Sequence, residues 1–251
     1  MKRLFSRIYK MKWLLVILAL LAVGKVSCML IFPDYVKRFR LEFEVKADGK
    51  IHSGSSVIEV TWKTIDPDRR WNSKFQGQGA IIDLGSHGIL VSGLVGTIIN
   101  EKGYAVRSNV AMNYLILRAF AGRVNGLPPL SDGDIRGRQY TLNKDVINAY
   151  SNLSGAVSLE DINLPLFFWL KDPLDPRTAV WLQADEFSTV IGEGVELKSA
   201  VLRITSDSIS SDMLTKLPWV PNMIDRSYNI PRTDWRRSYL FKILRGNLFR
   251  E

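Results

Sequence analysis

Cysteine and histidine are almost missing from this chain, and each shortage removes a class of chemistry. The 251 residues hold one cysteine, Cys28, and two histidines, His52 and His87. A lone cysteine rules out an internal disulfide framework, so the folded part must be held by its apolar core. Two distant histidines and that cysteine make no zinc pattern. Phosphate loops are missing too: there is no Gly-x-x-x-x-Gly-Lys, and Gly77 and Gly79 lack a third glycine. No Gly-x-Ser-x-Gly elbow occurs. Asp132 and Asp134, or Asp172 and Asp175, could offer oxygens to calcium, but neither pair has the spaced ligand series of a calcium loop. The sequence therefore names no catalytic set, no cofactor and no metal ligand.

Acidic residues are absent from the first 32 positions, which carry Lys2, Arg3, Arg7, Lys10, Lys12 and Lys25. An apolar run over 13–24 follows the basic flank and, after Lys25, resumes over 26–32. A basic flank before an apolar run is read by the export machinery and by the positive-inside bias. Residues 13–32 are long enough to cross about 30 Å of hydrocarbon. Lys25 would snorkel from the far end of such a span. The favoured reading is an uncleaved anchor, with 1–12 cytoplasmic and 13–32 transmembrane, because the apolar character continues past Gly24. A cleaved signal stays open, since Ala22 and Gly24 offer small residues at a cleavage site. Lipidation at Cys28 fits poorly behind Lys25 and Val26. The expected location is the bacterial inner membrane, single-pass, with the C-terminal domain in the periplasm.

The net charge of +9 sits at the two ends. Residues 232–251 carry a net +4, whereas 33–231 are close to neutral at −1. A nucleic-acid-binding domain would spread its basic patch over the fold, so nucleic acid is excluded as a partner. The tail mixes cations with large apolar residues. On a helix Trp235, Tyr239 and Lys242 would share one side, and Leu240, Ile243 and Leu244 another. Such a basic amphipathic tail can lie on anionic lipid. The competing reading is a terminal helix docked on the domain. The expected membrane-interacting residues are Lys2, Arg3, Arg7, Lys10, Lys12, Trp235, Arg236, Arg237 and Lys242.

About 218 residues remain after the N-terminal segment, enough for one sizeable domain over 33–231. Phe39, Leu41, Phe43 and Val45 alternate with charged residues, and Ile58, Val60 and Trp62 repeat the pattern after Asp48 and Gly49. Period two with a turn signal predicts an antiparallel hairpin with one wet face. Residues 66–79 read as a loop and 80–84 as a short strand. The apolar stretch 88–99 reads as a strand pair or a loose helix. Ser108 or Asn109 is placed to cap a mostly buried helix over 110–121. The loop 125–138 is where a subdomain boundary would fall. A short helix fits 146–153. Further strands are expected at 164–170, 178–182 and 195–205, with a short helix or turn over 186–191 and a short helix over 212–217. The fold class is α+β, mainly antiparallel β-sheet with few helices, preceded by one N-terminal transmembrane helix.

Asp83, Ser86 and His87 tempt a catalytic triad, but Ser86 and His87 are neighbours and point apart on an extended chain. A Gly-bounded turn is the plainer reading. Trp62, Trp169 and Trp181 lie on expected strands, where a core role outweighs a ligand groove.

Leu164 and Pro165, the turn from Asp172 to Asp175 and Pro176, Gly192 and Gly194 before Val195, and Leu217, Pro218 and Trp219 carry a resemblance. Over residues 140–220 the chain resembles a group of uncharacterised bacterial membrane-anchored or exported envelope proteins. The resemblance implies export and a shared fold, with no activity attached. The expected function is a membrane-anchored periplasmic binding or assembly module, non-enzymatic, that binds a protein partner as a subunit of an envelope complex or an immunity-type protein. The alternative is an envelope hydrolase acting on cell wall or lipid through carboxylates, with Asp83, Asp172 or Asp185 as candidates.

Overall fold

The computed structural model describes residues 34–64, 71–99, 105–121, 150 and 152–219. The alternation in the first strands sets the frame. Strand β1 (Tyr35–Ala47) buries Phe39, Leu41, Phe43 and Val45, and turns Arg38, Arg40, Glu42, Glu44 and Lys46 outward. It pairs antiparallel with β2 (Lys50–Thr64), from Tyr35 opposite Trp62 to Ala47 opposite Lys50. The two-residue turn has positive φ at both Asp48 (49°) and Gly49 (73°), as a type I′ hairpin requires.

The first sheet runs β3 (Trp71–Gln76), β2, β1, β10 (Glu196–Thr205), β7 (Ala156–Ser158). The second runs β4 (Ile81–Asp83), β5 (Ile89–Ile99), β8 (Pro165–Leu170), β9 (Ala179–Leu182), and β6 (Ala105–Ala111) pairs with β5. Every pairing is antiparallel. The architecture is therefore mainly antiparallel sheet with few helices. Phe43 of β1 meets Phe167 of β8 edge-on at 5.3 Å, and Phe167 meets Phe187 at 5.1 Å. One core thus spans both sheets. Helix α1 (Met112–Ala121) buries Leu115, Ile116, Leu117 and Phe120, and packs Phe120 against Phe39.

The first passage from one sheet to the other follows β3. β3 pairs with β2 as far as Gln76 opposite Glu59. At Gly77 (φ +137°) the chain dives under β2, and a Cβ there would sit 2.9 Å from Ile58 Cα. It then runs beneath β2, where the Ser56 hydroxyl donates to the Gln78 carbonyl at 2.7 Å. A Cβ on Gly54 would lie 2.4 Å from the Ile81 carbonyl oxygen, so the two backbones touch with no side chain between. The buried Gln78 amide also donates to the Asp212 carboxylate and accepts the Met213 N–H at 3.1 Å. This ties down α3 (Met213–Lys216) and the segment before it.

Three expectations are corrected. Residues 66–79 are not all loop, because 71–76 form β3; the polar stretch is legible as an edge strand only through its partner. The stretch 88–99 is neither a strand pair nor a helix but one strand, β5, whose residues 89–94 are all buried and so hide the period. The helix starts at Met112, and Ser108 and Asn109 lie in β6 instead of capping it. Strands β8, β9 and β10 and the short helices α2 (Phe187–Val190) and α3 fall where expected. Of the helix expected over 146–153, only Tyr150 is described as helical. The anchor segment 13–32, the loop 125–138 and the tail 232–251 lie outside the described residues. Among the described residues no helix is long and apolar enough to cross a membrane.

Two glycines separate steric from conformational cost. Gly54→Ala must push backbone against backbone, so it should cost about 1–3 kcal/mol or more. Gly49→Ala meets nothing within 4 Å and pays only for its left-handed φ, about 1–2 kcal/mol. Urea midpoints of the two variants should rank Gly54→Ala lower; the reverse order would refute the close crossing.

Candidate binding surface

Both histidines sit at one end of the molecule, each bridging the two sheets. His52, on the core-facing side of β2, donates from Nδ1 to the Asp83 carbonyl at 2.7 Å. His87 lies in the 3-10 turn Gly85–His87 after β4, and its Nε2 meets Asp48 Oδ1 at 2.9 Å. A carboxylate only accepts, so this Nε2 carries the proton. The Ser86 hydroxyl donates to the other oxygen of Asp48 at 3.1 Å. Trp169 donates its indole N–H to the His87 carbonyl at 2.6 Å. The hydrogen bond from His87, and next that from Ser86, holds the Asp48 carboxyl below the usual aspartate range.

This arrangement is a clasp and not a triad. Ser86 gives its proton to Asp48 and not to His87, so the imidazole is paired with no nucleophile. The carboxylates named for hydrolysis serve local turns. Asp83 accepts the Gly85 N–H at 2.9 Å, and Asp172 accepts the Leu174 N–H at 2.9 Å. Asp185 lies in a 3-10 turn beyond Leu182, while Asp172 lies beyond Leu170 at the other end of the β8–β9 hairpin. About 10 Å of strand separates those ends. Trp62 is buried in the core, and Trp169 is partly buried against it. The membrane-interacting set (Lys2, Arg3, Arg7, Lys10, Lys12, Trp235, Arg236, Arg237 and Lys242) lies outside the described residues.

The feature the sequence does not announce is an open strand edge. Val57 donates its N–H to Ser210 Oγ at 2.9 Å and accepts the Ser210 N–H at 3.1 Å. Its backbone groups therefore point away from β1. Direction alternates along an antiparallel strand, so Ile51, Ser53 and Ser55 aim their N–H and C=O the same way. β3 covers that side only from Glu59 onward. Among the described residues no strand pairs with Ile51, Ser53 or Ser55 there. All three residues are exposed, Ile51 at 54%.

A groove of about 400 Å³ lies on the outer face beside this edge, lined by Glu42, Glu44, Ser53, Ser55, Ser199 and Val201 among others. The register puts Glu44 between Ser53 and Ser199, and Glu42 between Ser55 and Val201. Glu44 accepts from Ser199 Oγ at 2.9 Å, and Glu42 holds Arg203 at 3.3 Å. Elsewhere this face carries cross-strand ion pairs, Arg38 with Glu59 at 2.8 Å and Lys46 with Glu196 at 3.4 Å.

No family model, no curated protein and no solved structure matches the chain. The class is therefore defined by the fold and the surface: two antiparallel sheets on one core, closed at one end by a histidine clasp and open along half of one strand edge.

The clasp makes a pH prediction. A carboxyl held below its usual range adds stability that is present above that range and is lost as pH falls through the lowered value. Asp48→Asn should unfold at lower urea than the parent at pH 7, and the gap should close below about pH 4. An equal gap at pH 7 and pH 3 would show that the Asp48 charge contributes nothing.

Proposed function

We propose that this chain is a membrane-tethered, exported binding module of the bacterial envelope, which takes an extended segment of a protein partner along the open edge of β2. The observation that carries the reading is the row of backbone groups at Ile51, Ser53 and Ser55 that no strand among the described residues pairs with. Such groups are a template for an added strand, whose main-chain hydrogen bonds supply affinity and whose side chains supply specificity. Natural edges are usually blunted by charge, proline or a bulge. This one carries serines and an exposed isoleucine, and β1 and β2 pair without a break in register. The shallow groove beside it suits a contact surface better than a reaction pocket. Export rests on the basic flank before the apolar run 13–32, and the tail residues Trp235, Arg236, Arg237 and Lys242 suit an anionic membrane surface.

Two measurements test this reading. In a Gram-negative cell the full chain should sediment with inner membranes, and protease added to spheroplasts should digest its domain. Protection of the domain would place it on the wrong side. A photo-crosslinking residue at Ser55 should capture a protein partner, whereas one at Ser188, on the short helix α2, should not. Ser53→Pro should abolish the capture, because it removes an edge donor but no bond to β1. Equal capture at both positions, or capture unaffected by Ser53→Pro, would refute edge binding.

A further inference from the structure

The register of the outer face says more about the incoming segment. We infer that the open edge selects a strand of pattern basic-x-basic-x-apolar, a reading that rests on the edge binding proposed above. A strand added antiparallel to β2 would place successive outward side chains beside Ser55, Ser53 and Ile51. The residue beside Ser55 lies in one row with Glu42, and the residue beside Ser53 lies in one row with Glu44. Serine is short, so each row is open between the newcomer and the glutamate. The span is two strand spacings, about 10 Å between backbones. A cation on a long flexible stem covers that distance, meeting a glutamate that leans toward it. Of the two carboxylates in the groove lining, Glu42 already meets Arg203 at 3.3 Å, whereas Glu44 has only the Ser199 hydroxyl among the described residues, so the uncompensated charge beside the edge is negative and calls for a cation. The third row is different. Ile51 is the exposed apolar residue at the end of the edge, and it favours an apolar neighbour. Two basic side chains two positions apart, followed by an apolar one, match these rows in order.

The test uses the full chain in nanodiscs of zwitterionic lipid and labelled seven-residue peptides, read by fluorescence anisotropy. The first peptide is Thr-Lys-Thr-Lys-Thr-Val-Thr. Its controls carry glutamine for lysine, glutamate for lysine, or the same residues with the lysines adjacent. The alternating lysine peptide should bind about fivefold or more tighter than the glutamine peptide, and the glutamate peptide should bind weakest. The double variant Glu42→Gln, Glu44→Gln should erase the lysine preference and leave glutamine-peptide binding unchanged. Ser53→Pro should weaken both peptides. If that variant fails to fold by circular dichroism, the pair Ser53→Lys, Ser55→Lys fills both rows from the surface and should remove the lysine preference alone. Equal binding of lysine, glutamine and adjacent-lysine peptides, still lost in Ser53→Pro, would overturn the charge pattern while leaving edge binding intact. Absence of binding by every peptide would overturn both. A concentration-dependent dimer abolished by Ser53→Pro would make a second copy the occupant and overturn the inference.

Discussion

Everything in this fold depends on one close crossing of backbones. The segment after β3 must pass from the first sheet to the second, and it does so beneath β2 with nothing between the chains. Gly77 allows the dive, and Gly54 lets the Ile81 carbonyl approach. A side chain at Gly54 would wedge the sheets apart where Phe43 and Phe167 interlock. Dense interiors do not absorb such a wedge locally. The Gln78 amide then fixes the register of the crossing, because it is buried and each of its polar groups has a partner. Among the described residues the same crossing leaves the outer side of Ile51, Ser53 and Ser55 without a paired strand. The chain that would have extended β3 along it has gone below.

The legible parts of the sequence are those with one wet face. β1 and β2 alternate because one side meets solvent, and Asp48 with Gly49 can adopt the left-handed turn that joins them. The β8–β9 hairpin is legible because its Asp-Pro turn punctuates two apolar runs. β5 is not, since a strand buried on both faces looks like a buried helix at that length. β3 is short, sits at an edge and packs only Phe75 against the core among its described side chains, too little for a period to show. The clasp is illegible for another reason. Asp48, His52 and His87 lie on separate strands and turns, and only sheet stacking brings them together. The open edge is a difference between the lengths of two neighbouring strands, which no local pattern records.

The charged outer face gains from the same geometry. Its cross-strand pairs are individually weak, as exposed ion pairs are. They nonetheless neutralise Arg38, Lys46 and Glu42, and leave Glu44 as the carboxylate of the groove with no cation partner among the described residues. Thr205 and then Arg40 hold Asp207 below the usual aspartate range, and Lys198 does the same for Glu196.

The strand that neighbours β1 on its far side has a kinetic consequence. β1 opens the described chain and β10 nearly closes it, with Arg38 opposite Thr205. The Met213 backbone reaches Gln78 across 135 positions of sequence. A chain is made from its N-terminus, so β3 follows directly and can pair with β2, whereas β1 lacks its β10 neighbour until almost all of the domain has been synthesised. Such long-range pairing folds slowly. During that interval β1 carries an unsatisfied edge and an apolar face. The domain acquires its final shape only after residues 196–213 arrive.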